Sequence, residues 1–155
     1  MTQNIINGFS GEYRFLSLSY PLDKPVVEKV GRAKFRYPTI RKAYHAHRTN
    51  DLTLKARIIG LPSSVDVSAL IDVDKEREDW HLIRERVLYR LMKQKFSNPG
   101  LKQRLLATGD AVLIHVDKED LYWGKNYAGK GENRLGVLLM QLRDEYRSNK
   151  SSPAA

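Results

Sequence analysis

Asp120, Tyr122 and Trp123, followed by Lys130, Asn133 and Arg134, form the densest group of chemistry-capable side chains in the sequence, and they stand among Gly124, Gly129, Gly131 and Gly136. A fixed carboxylate can stabilise positive charge developing on a sugar carbon, as in the oxocarbenium-like breaking of a glycosidic bond. Aromatic rings can stack on a nucleobase, and basic side chains can hold phosphates. The arrangement therefore suggests Asp120 as a catalytic carboxylate and Tyr122 and Trp123 as pocket walls. The glycine-rich loop from Lys125 to Gly131 would bring backbone N–H groups close to a ligand. A structural alternative fits the same residues: glycines that only make turns, aromatics in the core, and Asn133 as a helix N-cap.

Other chemistries are poorly served. The chain has no Gly-x-Gly-x-x-Gly after a strand, no Walker-type loop, no His-Glu-x-x-His and no Gly-x-Ser-x-Gly. His45, His47, His81 and His115 are not spaced to share a metal ion, and the absence of cysteine removes thiolate chemistry and disulfides. No metal and no cofactor is expected.

The elements that must position these groups follow from pattern. Ile5 to Phe15 reads as a short strand or hairpin broken by Gly8 and Gly11, and Val26 to Tyr37 as two strands across Gly31. Thr39 caps a helix running to about Thr49, and Asp51 a second helix, Leu52 to Ile59, closed by Gly60. Trp80, Ile83, Val87, Leu91, Met92 and Phe96 recur at helical spacing. Asn98-Pro99 opens another helix, Ala111 to Val116 suits a buried strand, and Leu135, Leu138, Leu139, Leu142 and Tyr146 define a closing helix. The expectation is an α+β single domain over 1–147, mainly helical with a small, mostly antiparallel sheet, and a flexible tail over 148–155.

Length and composition set the outer bounds. A chain of 155 residues with 41% hydrophobic content can bury its own core. The N-terminal residues lack a signal-peptide pattern and no apolar run is long enough for a membrane span, so a cytoplasmic location without membrane association is expected. The net charge of +9 favours a polyanionic or phosphate-bearing partner. Seven bases against one acid between Trp80 and Ala107 supply +6 of that total. Arg41, His45 and Arg48, at i, i+4 and i+7, share a helical face that could form a phosphate rail or a solvated stripe.

The motif order from Phe15-Leu-Ser through Tyr37-Pro-Thr39, Trp80, Lys95-Phe96, Leu105-Leu-Ala-Thr-Gly109, Asp120-Leu-Tyr-Trp-Gly124 and Gly131-Glu-Asn-Arg-Leu-Gly136 to Leu139-Met-Gln-Leu-Arg143 resembles the NADAR, or YbiA-like N-glycosidase, family. The resemblance implies cleavage of N-glycosidic bonds to ribose. It makes Trp80 the pocket tryptophan, Asp120 the pocket aspartate, and Asn133 and Arg134 ligand-loop residues. The family helix usually reads Tyr-Pro-Thr-x-Glu-His with a catalytic Glu, and here Arg41 stands at that position. Leu18 and Ser19 likewise replace an amide-bearing pattern.

The expected ligand set is Trp80, Tyr122, Trp123, Gly124, Lys130, Asn133, Arg134, Arg41, His45 and Tyr37. The expected function is hydrolysis of an ADP-ribosyl-guanine bond, in nucleic acid or nucleotide. The alternatives are a non-catalytic binder of ADP-ribose-like or cyclic nucleotides, and a hydrolase of phosphoribosylamino-pyrimidine riboflavin intermediates. A basic nucleic-acid-binding domain without a small-molecule pocket is a further alternative. Partners are thus an ADP-ribose-containing or phosphoribosyl small molecule and ADP-ribosylated nucleic acid, with the oligomeric state open.

Overall fold

The computed structural model describes residues 4–151, with side chains as far as Asn149. In chain order the elements are β1 (Ile5–Asn7), a 3-10 turn over Gly11–Leu16, β2 (Val26–Val30), β3 (Ala33–Tyr37), α1 (Ile40–Ala46), α2 (Leu52–Ile59), α3 (Trp80–Lys95), α4 (Pro99–Ala107), β4 (Val112–Ile114) and α5 (Arg134–Ser151). This is an α+β fold dominated by helix. The chain divides into two compact units, one formed by Leu18–Lys95 and the other by the segments before and after it.

In the Leu18–Lys95 unit, β2 and β3 pair antiparallel from Val26↔Tyr37 to Val30↔Ala33. Gly31, at φ +59°, takes the first place of the two-residue turn, where a type II′ hairpin calls for glycine. Helix α1 begins where expected: Thr39 is extended and its hydroxyl accepts from the Lys42 N–H at 3.2 Å. It ends three residues early, because the N–H groups of Arg48 and Thr49 bond back to His45 and Ala46 in a tighter turn. Asp51 caps α2 through the N–H groups of Thr53 and Leu54. In α3 the fully buried stripe is Trp80, Leu88, Leu91, Met92 and Lys95, while Ile83 and Val87 are only half-buried. Each buried leucine of that stripe contributes about 2 kcal/mol by leaving water.

In the other unit, β1 lies parallel to β4, with Ile6 opposite Leu113. The residues expected to continue a hairpin after Gly8 instead form the 3-10 turn, which buries Phe15 and Leu16. Arg104 of α4 stacks its guanidinium 4.2 Å from the Phe15 ring. Asn98 caps α4 through the N–H groups of Gly100 and Leu101, with Pro99 at the first helical position. Helix α5 packs Leu135, Leu138, Leu139 and Leu142 into the core. It continues through Ser148–Ser151, which the sequence pattern assigns to a tail, and residues 152–155 of that expected tail lie outside the described residues. Among the described residues no helix is long and apolar enough to cross a membrane.

Candidate functional site

The stretch between β4 and α5 is built on side-chain-to-backbone hydrogen bonds. Asp117 Oδ1 accepts from the N–H groups of Glu119 and Asp120, at 2.9 and 3.0 Å. Asp120 Oδ1 then accepts from those of Tyr122 and Trp123, at 3.1 and 2.9 Å, and Asn126 Oδ1 from those of Ala128 and Lys130, both at 3.0 Å. These are successive Asx turns, in which a short polar side chain substitutes for a backbone acceptor. Asp120 Oδ2 meets no hydrogen-bond donor among the described residues, so the carboxylate is locked by one oxygen and offers the other. The turn it closes carries Tyr122 and Trp123, whose half-buried rings meet edge to face with centroids 4.9 Å apart.

The start of α5 is closed from within. The N–H groups of Asn133, Arg134 and Leu135 donate to the carbonyls of Gly124, Tyr122 and Trp123, so these helix-terminal donors are already occupied. Asn133 adopts φ +52°, and its Oδ1 accepts from the His115 N–H while its Nδ2 donates to the Leu113 carbonyl, both at 2.9 Å. Asn133 thus neither caps α5 with its side chain nor presents it to a ligand; the buried amide extends the edge of β4. A Cβ on Gly136 would run into the Leu113 carbonyl and the Asn133 amide, and one on Gly131 into the Gly124 carbonyl. A Cβ on Gly124 would lie 2.6 Å from the His115 carbonyl oxygen. These glycines allow backbone to approach backbone, which corrects the expectation that Gly124 contacts a ligand: it is buried, with its N–H on Asp120 O and its carbonyl on the Asn133 N–H.

The remaining candidates, Tyr37, Arg41, His45 and Trp80, belong to the Leu18–Lys95 unit. Tyr37 is fully buried, and its hydroxyl donates to Glu28 Oε1 at 2.8 Å; burial and that carboxylate push its pKa far up. It is a core residue, which corrects its assignment to a ligand. Trp80 is also buried, edge-on to Tyr44 at 5.1 Å. Arg41 is exposed and pairs with Asp66 at 3.5 Å.

Arg48 is buried and fully engaged: it donates to Glu76 at 2.5 Å, Ile71 O at 2.7 Å, Ser68 O at 3.1 Å and His45 Nδ1 at 3.0 Å. No continuous phosphate rail runs down α1, because its last member closes the segment from Ser68 to Glu76 onto the helix. A guanidinium can only donate, so Nδ1 of His45 is the acceptor and its proton sits on Nε2. Burial, then Arg48 and Arg41, pushes the His45 pKa down to about 3, so the ring is a neutral Nε2–H donor throughout the physiological range.

A family model for the NADAR domain matches residues 8–147. The chain belongs to the NADAR family. It is 34% identical over 113 residues to the N-glycosidase YbiA of Escherichia coli, a match covering 70% of each chain. It is 35% identical over 127 residues to the chloroplastic riboflavin biosynthesis protein PYRR of Zea mays, covering 72% of this chain and 20% of that protein. The match to the Arabidopsis thaliana protein of the same name is 46% over 79 residues, 50% of this chain and 13% of the other. The NADAR chain thus spans only a small part of these plant relatives. The NMR structure of E. coli YbiA aligns with a TM-score of 0.78 at 31% identity, covering 100% of this chain and 92% of that one.

Within this NADAR chain the structure brings Asp120, Tyr122 and Trp123 together in one turn, with Lys130 exposed on the following loop and Arg134 half-buried at the head of α5. Sequence reasoning missed the buried network in which Lys55 Nζ contacts both oxygens of Glu28, at 3.0 and 2.8 Å, and the Ala46 carbonyl at 2.9 Å. His47 Nε2 lies 3.5 Å from the same carboxylate, and burial lowers its pKa against the pull of Ala43 O and Glu28. The signal was present: Glu28 falls in phase with Val26 and Val30, an acid on the apolar side of a strand.

Proposed function

We propose that this NADAR chain is an N-glycosidase that hydrolyses a base–ribose N-glycosidic bond, with ADP-ribosyl-guanine as the substrate. The observation that carries the reading is the Asp120 carboxylate, fixed through Oδ1 by the Tyr122 and Trp123 N–H groups with Oδ2 left available. Oδ2 would stabilise the oxocarbenium character at the anomeric carbon as the C–N bond breaks. Water then adds to that carbon, and the base leaves with a proton. Tyr122 and Trp123 would flank a ring of the ligand, and Lys130 and Arg134 would pair with its phosphates. The name of the E. coli relative supports the reaction class.

Asp120→Asn separates chemistry from structure, because the amide oxygen can still accept both N–H bonds while the charge is gone. Turnover of ADP-ribosyl-guanine, followed by release of free guanine base, should fall ~10²–10³-fold at unchanged melting temperature. Full activity in that variant would falsify the role given to the carboxylate. A phosphoribosylamino-pyrimidine, assayed in parallel, tests the substrate suggested by the names of the plant relatives.

One observation favours a second reading, a non-catalytic binder of ADP-ribose-like or cyclic nucleotides. Arg41, held by Asp66, stands where the resemblance puts a catalytic Glu, and a guanidinium opposes developing positive charge. Calorimetric titration with ADP-ribose and recovery of the ligand decides: tight binding of intact ligand, with turnover appearing only in Arg41→Glu, supports the binder.

A further inference from the structure

The hairpin β2–β3 carries four bases, Lys29, Arg32, Lys34 and Arg36, against a single acid, Glu28. Strand alternation puts Glu28 on the inner face, where Lys55 and Tyr37 take its oxygens, and puts Lys29, Lys34 and Arg36 on the outer face. All four bases are exposed, and none has an acidic or hydrogen-bonding side-chain partner among the described residues.

Their register makes the crowding worse than chance would. The Val27 N–H donates to Gln94 Oε1 at 2.8 Å and Gln94 Nε2 donates to Val27 O at 3.1 Å, so Val27 turns its backbone groups away from β3. Val27↔Arg36 is therefore a non-hydrogen-bonded pair, and so is Lys29↔Lys34 two residues on. In such pairs the Cα atoms approach to about 4.5 Å and the side chains stand closest. Like charges placed directly opposite each other destabilise a hairpin, and no acid is positioned to relieve these.

We infer that the outer face of this hairpin is a docking strip for the phosphate backbone of a nucleic acid. The strip has the charge for it, and a two-stranded ribbon is one of the shapes a major groove admits. An anionic bilayer suits it less well, because the exposed large apolar side chains, Ile5, Leu52, Val73, Leu82, Leu121 and Tyr127, all lie off the hairpin. The inference extends the hydrolase reading to a polymeric substrate without depending on it, since the strip recognises unmodified strands as well.

The test is fluorescence anisotropy with labelled, unmodified duplex and single-stranded oligonucleotides over a salt series. Three or four phosphate contacts give a log–log salt slope of about −3. The double variant Lys29→Glu/Lys34→Glu should bind at least ~10-fold more weakly and flatten the slope by about 2. Its melting temperature should change little, since an opposed Glu–Glu pair takes the place of the opposed Lys–Lys pair. Arg86→Glu/Arg90→Glu removes the same charge from exposed positions of α3 and should change binding far less.

Equal weakening by the two doubles would reduce the effect to net charge and overturn the strip. So would binding to phosphatidylserine vesicles but not to oligonucleotides, or no binding to either. Turnover of a free ADP-ribosyl-guanine nucleotide should be the same in Lys29→Glu/Lys34→Glu as in the unaltered chain. If that turnover is absent from both while the oligonucleotide result holds, the hydrolase reading fails and the strip stands.

Discussion

The loop from His115 to Asn133 and the helix α1 with its neighbours use polar residues in opposite ways. In the loop, Asp117, Asp120, Asn126 and Asn133 bond to backbone groups, so each side chain shapes the chain around it. Around α1, charged side chains meet other side chains in the interior: Glu28 with Lys55 and Tyr37, and Arg48 with Glu76 and His45. The first arrangement can leave an atom such as Asp120 Oδ2 open without a large penalty, because one oxygen suffices for the turn. The second cannot, because a buried charge without its partner is costly. Candidate chemistry therefore concentrates in the loop, and electrostatic stability in the other unit.

Breaking the buried pair should give the largest effect. Lys55→Met leaves Glu28 with only the Tyr37 hydroxyl and the edge of His47 for company, and should cost about 3–5 kcal/mol in urea unfolding. Adding Glu28→Gln to it should recover much of the loss, since the uncompensated charge is then gone. If Lys55→Met costs less than ~1 kcal/mol, Glu28 is wetter than its packing indicates and the contrast between the two regions weakens.

Next comes the one loop residue that behaves like the interior ones. Asn133→Ala strands the His115 N–H and the Leu113 carbonyl and forces a Cβ-bearing residue without a compensating side chain into φ +52°, for a cost of about 3 kcal/mol. Asn133→Gly removes only the backbone strain and should cost about 1 kcal/mol less than Asn133→Ala. Equal costs would show that the amide bonds alone matter.

These two sites show what was legible in the sequence. Local signals are legible: Thr39, Asp51 and Asn98 cap helices where their types and neighbours indicate, and Leu135, Leu138, Leu139 and Leu142 face the core. The sequence offers Asn133 as a ligand-loop residue or, as the structural alternative, a helix N-cap, and only tertiary contact with β4 gives its amide the His115 and Leu113 partners. The place of Tyr37 in a motif points to a ligand contact, whereas full burial and the bond to Glu28 make it core. Long-range pairs such as Glu28 with Lys55 and Arg48 with Glu76 link residues 27 and 28 positions apart, and no local spacing rule reaches that far.

A smaller effect should appear with pH. The His45 pKa is pushed down to about 3, well below the unfolded value near 6.5, so the unfolded chain binds the extra proton first. Its contribution is fully present above pH ~6.5 and is lost as pH falls through that range towards 3. The groups facing it are Arg48 and Arg41, which disfavour protonation, and Asp66, which favours it, with Glu76 acting through Arg48. His45→Gln keeps an acceptor for Arg48 but cannot titrate, so it should lose about 2 kcal/mol less than the unaltered chain between pH 7 and pH 5. Parallel urea midpoints across that range check it, and coincident slopes would mean that His45 protonates without strain.

The smallest effect bears most directly on function. Asp120→Ala removes one acceptor oxygen from two half-exposed N–H groups, Tyr122 and Trp123, which water can then solvate, so the stability loss should be about 1 kcal/mol. Asp120→Asn keeps the acceptor and should lie within a few tenths of the unaltered chain. Because the stability change is small in one variant and nearly absent in the other, any large fall in turnover belongs to the missing charge and not to a collapsed loop. A loss above ~3 kcal/mol in Asp120→Ala would place Asp120 with the buried partners of the other unit, and the claim that this loop tolerates an open carboxylate oxygen would fail with it.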